Sequence, residues 1–329
     1  MPMKLNDVVK HFLIDCENRR LSDGTIVLYR RVLGLLAHRL AEDSKITDLE
    51  EVRIVHLRQF LNFLLHSDES NKRFPNHYRQ EKLAPTTVRN YVIFVKAFFH
   101  WCVVEELLTT DPAARLSKPK VPQHVTIAFT AEHIEKMLAT CDTSTNEGFR
   151  DYVLLLTLLD TGMRVSELCN LRVADVYDRH IKVMGKGRKE REIGLHPEVS
   201  KLLWKYIHKY RRARDPDEDH VFIGRRGAAL KISGVEALFN RVERKSGITG
   251  VRVSPHTLRH TFAKWYLMRG GEIFKLSREL GHSGIQITGN TYLGDFNSTN
   301  ARQDHESFSP IGDLRLSGRR KSPKGKKDK

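Results

Sequence analysis

Thr161-Gly162-Met163-Arg164-Val165-Ser166-Glu167-Leu168 sits at the middle of the 329-residue chain, between an apolar segment and a second short amphipathic one. The apolar run Phe149 to Leu159 predicts a helix, and Gly162 is the residue that stops it, because glycine enters the left-handed conformation of a helix end without steric cost. A short helix then opens with Arg164 in its first turn and Glu167 about one turn later. An arginine there meets the positive end of the helix dipole. A bound anion would remove that conflict by taking both the guanidinium and the unpaired amides. Alone, the arginine reads first as an ordinary surface residue.

Downstream, His180-Ile181-Lys182-Val183-Met184, the turn Gly185-Lys186-Gly187 and Arg191-Glu192-Ile193 predict a hairpin or the edge of a three-stranded sheet. Helical spacing resumes over Leu202–Tyr210, Gly234–Arg244, Pro255–Arg269 and Glu272–Leu280. Upstream, Thr130 is a plausible N-cap for Ala131–Thr140, and Ser117-Lys118-Pro119-Lys120-Val121-Pro122 reads as a linker. The first 115 residues are helical in pattern: Leu5–Cys16, a helix starting at Ser22-Asp23, Ile54–Leu65, and Val88–Val104 introduced by Leu83-Ala84-Pro85-Thr86-Thr87. Ser67–Glu81 is polar and reads as an exposed loop.

Lys and Arg outnumber Asp and Glu by 56 to 40, a net charge of +16 that fits a polyanionic partner such as nucleic acid. The longest apolar run, Tyr152–Leu159, is far too short to span a bilayer, and Lys4, Asn6, Asp7, Lys10 and Asp15 interrupt any secretory signal. Cys16, Cys102, Cys141 and Cys169 are scattered and read as buried thiols of a reducing cytoplasm, neither zinc ligands nor a disulfide framework. Arg319–Lys329 carries seven Lys or Arg and one Asp, and reads as a disordered basic tail.

Three further segments join the first. Ser254-Pro255-His256-Thr257-Leu258-Arg259-His260 starts a helix with Ser254 as N-cap and puts His256 and Arg259 on one face, with Leu258, Phe262 and Trp265 opposite. His256 and His260 have the spacing of a zinc pair, but Thr257 stands where HExxH has its glutamate. In Leu280-Gly281-His282-Ser283 the glycine ends a helix and His282 occupies the turn. The next helix carries Ile285, Thr288 and Tyr292 on one side. Each segment alone has a bland reading as surface, capping or core residues.

In order, TGMRVSEL, HTLRH with its His256 ninety-two residues after Arg164, LGH and the tyrosine resemble the signature of the tyrosine recombinase or phage integrase family, most of all its Xer-type and mobile-element-borne members. The resemblance covers nearly the whole chain. It implies a mainly α fold with a small β-hairpin in the catalytic domain, arranged as a two-domain C-shaped DNA clamp. Residues 1–115 would be the helical core-binding domain, 116–126 the linker, 127–310 the catalytic domain and 311–329 the basic tail.

The resemblance also implies roles. Arg164 and Arg259 match the two arginines, which would clamp the non-bridging oxygens of a phosphodiester with paired donors that stay ionised. Tyr292 matches the nucleophile, His256 the proton acceptor or phosphate contact, and His282 the second histidine. Lys186, at the tip of the hairpin, matches the lysine that protonates the departing 5′ oxygen, with Lys182 and Lys189 as nearby rivals. Glu167 resembles the acidic support residue. Thr86, Thr87 and Arg89, together with Arg188, Lys189 and Arg191, would contact DNA. The ten residues from His282 to Tyr292 are at the long end for the family.

No metal and no other cofactor is implied. The expected partner is double-stranded DNA at a specific recombination site, engaged by a homotetramer on two sites or together with a partner recombinase, in the cytoplasm at the nucleoid. Type IB topoisomerase-like relaxation and a non-catalytic DNA-binding protein are the competing readings.

Overall fold

Ser22 accepts the Thr25 amide on its side chain at 3.3 Å and so starts the longest helix of the chain's first part. The computed structural model describes residues 3–66, 83–121, 127–185, 190–282 and 284–292. The chain divides into two compact units, residues 1–123 and 124–329, at a boundary inside the segment read as a linker.

The first unit contains α1 (Leu5–Asn18), α2 (Asp23–Ser44), α3 (Ile54–His66) and α4 (Pro85–Val104). Their apolar faces meet in one core around Phe12, Leu33, Leu36, Leu57, Phe98 and Phe99. Phe12 packs edge-on against Tyr29, Phe98 and Trp101, which fixes α1 against α2 and α4. Leu116 is buried in this same core, so the unit extends past residue 115. Pro85 occupies the first turn of α4 and starts that helix three residues ahead of the apolar run, as its fixed φ and missing donor allow. Ser67–Glu81 lies outside the described residues, as does everything after Tyr292, including the basic tail.

The second unit is built on α5 (Ala131–Ala139), α6 (Asn146–Thr161), α7 (Val165–Cys169), the antiparallel pair β1 (His180–Met184) and β2 (Glu190–Gly194), α8 (Pro197–Lys205), α9 (Ile232–Ser246), α10 (Pro255–Met268), α11 (Ile273–Leu280) and α12 (Ile285–Tyr292). The sheet has two strands among the described residues, in the register His180 opposite Gly194 and Met184 opposite Glu190. α8 starts earlier than its apolar pattern suggests, because His196 caps it and Pro197 takes its first turn, and it runs on into one π turn, Tyr206–Tyr210. α6 is the central helix, with Val153, Leu154, Leu155 and Leu158 at most 2% exposed, packed against α8 and α10. A smaller cluster of Ala263, Leu276 and Leu280, with Phe262 and Tyr266 beside it, joins α10 to α11. No helix among the described residues is long and apolar enough to cross a membrane.

Candidate active site

Two helix ends build the site. Gly162 closes α6 at φ +58° and Gly281 closes α11 at φ +65°, both in the left-handed region. Space enforces both choices: a Cβ on Gly162 would lie 2.3 Å from the Phe262 ring, and one on Gly281 2.9 Å from the Arg191 guanidinium. The last carbonyls of each helix are then left without intrahelical partners and carry the negative end of its dipole. Arginines take them. Arg259 donates through Nη1 to the Gly162 oxygen at 2.7 Å and through Nη2 to the Leu280 oxygen at 2.8 Å. Arg164 Nη2 donates to the Gly281 oxygen at 3.1 Å, and Arg191 Nε to the Glu279 oxygen at 2.8 Å. Arg191, Arg259 and Arg164, from three separate segments of the chain, are thus drawn to the consecutive carbonyls of Glu279, Leu280 and Gly281.

Arg164 is the N-cap of α7 and stands one residue ahead of the first-turn position expected for it. Its conflict with the helix dipole is relieved from within the protein. Glu167 reaches back to the Arg164 amide at 2.8 Å and accepts from Arg164 Nη1 at 3.0 Å. Arg191 completes the network with two parallel bonds of 2.8 Å to the same carboxylate. Burial works to raise the Glu167 pKa, but the Arg191 and Arg164 hydrogen bonds outweigh it and hold the carboxylate below its ordinary range.

Arg191, read from the sequence as a DNA contact, has a side chain that is 13% exposed and turned onto Glu167. Sequence reasoning missed this, although the signal was present: strand alternation puts Arg191 on the same face of β2 as Ile193, which is 1% exposed. Lys182 lies on β1 with its ammonium 5.4 Å from the Tyr177 ring centre. Lys186, Arg188 and Lys189 are outside the described residues.

α10 is buried on more sides than its amphipathic pattern implies. Thr257, Leu258, Arg259, His260, Thr261 and Ala263 are all buried, and Phe262 packs in the same cluster as Ala263 instead of on an opposite face. His256 in the first turn is exposed, while His260, its would-be zinc partner, is 4% exposed. Loss of hydration against the protein, then Arg259 and Arg252, lower the His256 pKa below 6.5. His282 bridges Arg259, whose Nη2 is 3.0 Å from His282 Nε2, and Thr288, whose Oγ1 is 2.7 Å from His282 Nδ1. Burial first, then Arg259, Arg164 and Arg191, push its pKa down to about 4. Both imidazoles are therefore neutral near pH 7, able to accept a proton or a hydrogen bond.

Tyr292 is the last residue of α12, and its ring lies outside the described part. α12 packs on α11, with His282 between the two, and on α10, which carries Arg259. In the first unit, Thr86 and Arg89 are exposed and Thr87 half-buried at the start of α4, on either side of the buried Val88.

Residues 128–298 match the model of the phage integrase family. Tyrosine recombinase XerD of Listeria monocytogenes is 31% identical over 292 residues, covering 86% of this chain and 93% of the relative. Tyrosine recombinase XerC of Chlamydia caviae is 30% identical over 253 residues, covering 76% and 80%. The solved structure of the Tn1549 transposon integrase in complex with transposon right end DNA superposes with a TM-score of 0.72 at 20% identity, covering 93% of this chain and 99% of that one, so the two share a fold. This chain belongs to the phage integrase family and is an Xer-like tyrosine recombinase.

Proposed function

We propose that the chain cuts and rejoins DNA at specific recombination sites through a covalent 3′-phosphotyrosyl intermediate on Tyr292. The observation that carries the reading is the pair of guanidiniums, Arg164 and Arg259, held at adjacent carbonyls of the α11 end beside two neutral histidines, with α12 packed alongside. Arginine's rigid donor fork suits a phosphodiester, whose charge gathers on the non-bridging oxygens as a nucleophile attacks. Holding both guanidiniums on fixed carbonyls means little reorganisation accompanies the reaction.

In this mechanism the Tyr292 phenol, whose ordinary pKa is about 10, loses its proton to His256 as its oxygen attacks phosphorus. The bond from phosphorus to the 5′ oxygen breaks, and Lys186 protonates that oxygen. A free 5′ hydroxyl and a phosphotyrosyl ester result, and the ester conserves the bond for rejoining to a second strand. Glu167 holds Arg164 in place, and Arg191 holds Glu167. The exposed Thr86 and Arg89, with Thr87, serve as phosphate contacts, joined by Arg188 and Lys189 next to Lys186; such contacts carry affinity without reading sequence. Exchange between two sites calls for a tetramer of this chain or of this chain with a partner recombinase, acting in the cytoplasm at the nucleoid.

The test is a pool of nicked duplexes with randomised sequence, from which the short fragment bearing the freed 5′ hydroxyl escapes. The wild-type chain is expected to retain a defined duplex covalently, and two copies of that duplex to yield recombinant strands. Sequence-independent relaxation of supercoiled DNA without recombinants would instead mark a topoisomerase, and absence of any adduct would mark a non-catalytic DNA-binding protein.

A further inference from the structure

The network around His282 contains a residue to which the site reading assigns no task. Thr288 is completely buried, and its hydroxyl lies 2.7 Å from His282 Nδ1. Which atom donates is decided on the other side of the ring. A guanidinium has donors only, so the Arg259 Nη2 contact at 3.0 Å requires a lone pair on His282 Nε2. A neutral imidazole has one N–H, which is then on Nδ1 and points at Thr288. The backbone of His282 is anchored separately, its amide donating to the Ser277 oxygen at 3.1 Å in α11. Thr288 belongs to α12, one helical turn before Tyr292.

We propose that Thr288 is the positioning residue for His282, selecting the Nδ1–H form of the ring and tying it to the helix that ends in Tyr292. In the resting site the Nε2 lone pair steadies Arg259. When a phosphate oxygen takes over as acceptor for Arg259, His282 can hydrogen-bond that oxygen only with its proton on Nε2. Solvent water gives a proton to Nε2 and takes one from Nδ1 in this exchange of tautomers, so the ring is neutral before and after and no net proton is gained or lost. A hydroxyl serves both states, accepting from Nδ1–H and donating to bare Nδ1, with no heavy atom displaced. Valine has the shape of threonine and does neither. The positioning role during cleavage rests on the recombinase reading; the resting tautomer does not.

Two measurements on the full chain test this. With nitrogen-15-labelled histidine and no DNA, long-range proton–nitrogen correlation at pH 7 is expected to give the neutral Nδ1–H pattern for His282, assigned by its loss in His282→Phe. Thr288→Val is expected to abolish the single tautomer and Thr288→Ser to restore it. On a nicked duplex retained from the randomised pool, Thr288→Val is expected to slow adduct formation about tenfold, from loss of one hydrogen bond, and Thr288→Ser to recover the rate. In a His282→Phe background, Thr288→Val is expected to add no further loss. An Nε2–H or protonated His282 in the wild type overturns the proposal, as does an equal slowing by Thr288→Val without His282. A wild-type chain that forms no adduct overturns the recombinase reading, while the tautomer spectra still decide the case for Thr288.

Discussion

At the scale of single residues, the site sets arginines and histidines against each other and lets the arginines win. Arg259 is 7% exposed and donates to two protein carbonyls, which offset the hydration its guanidinium gives up on burial. Arg164→Ala or Arg259→Ala is expected to lower the single-turnover rate of adduct formation by two to three orders of magnitude, about 3 to 4 kcal/mol of lost transition-state stabilisation. Lys186 is separable from its rivals by chemistry. Sulfur in place of the bridging 5′ oxygen leaves without a proton, so a duplex with that substitution is expected to rescue Lys186→Ala and to give no comparable rescue with Lys182→Ala or Lys189→Ala. His282 leads to a pH dependence. Its folded pKa is depressed from 6.5 to about 4, so it contributes stability that is present above pH 6.5 and lost as pH falls through about 4. His282→Phe is expected to flatten the acid limb of thermal stability between those values, read by Tm against pH.

At the scale of elements, the binding geometry is made by the ends of α6 and α11 and by the buried Glu167 that joins α7 to β2. Gly162→Ala combines a left-handed φ with a clash against Phe262, and is expected to cost about 2 to 4 kcal/mol in urea unfolding of the second unit. Arg191→Ala leaves a carboxylate whose side chain is 4% exposed short of its bidentate partner, and is expected to cost about 3 kcal/mol. Much of this was legible from sequence. Glycines after apolar runs marked both helix ends, and the ordered arginines, histidines and tyrosine marked what those ends carry. The pattern could not say that helix-terminal carbonyls would be the arginines' partners, because backbone acceptors have no residue signature. Nor did charge alone distinguish Arg191, turned inward, from a lysine or arginine facing DNA; its place in the strand alternation did. Thr288 went unassigned because a helical threonine is as often core as partner, and only the ring it meets in space separates the two.

At the scale of the whole molecule, two units with separate cores divide the work, the first presenting exposed polar residues at the start of α4 and the second assembling the site. A net charge of +16 carries affinity for any duplex, so non-covalent binding is expected to weaken by about a thousandfold or more between roughly 50 and 200 mM salt, measured by titration of a labelled duplex. The chemistry should respond far less once DNA saturates the protein. The most direct test of the central claim is the identity of the residue joined to DNA. The wild-type chain, trapped on a nicked duplex, is digested with protease and nuclease, and the modified peptide is sequenced by mass spectrometry. A nucleotide 3′-phosphate on Tyr292, with no adduct from Tyr292→Phe, is the expected result; attachment at Tyr266 or another residue, or an adduct that survives Tyr292→Phe, would contradict it.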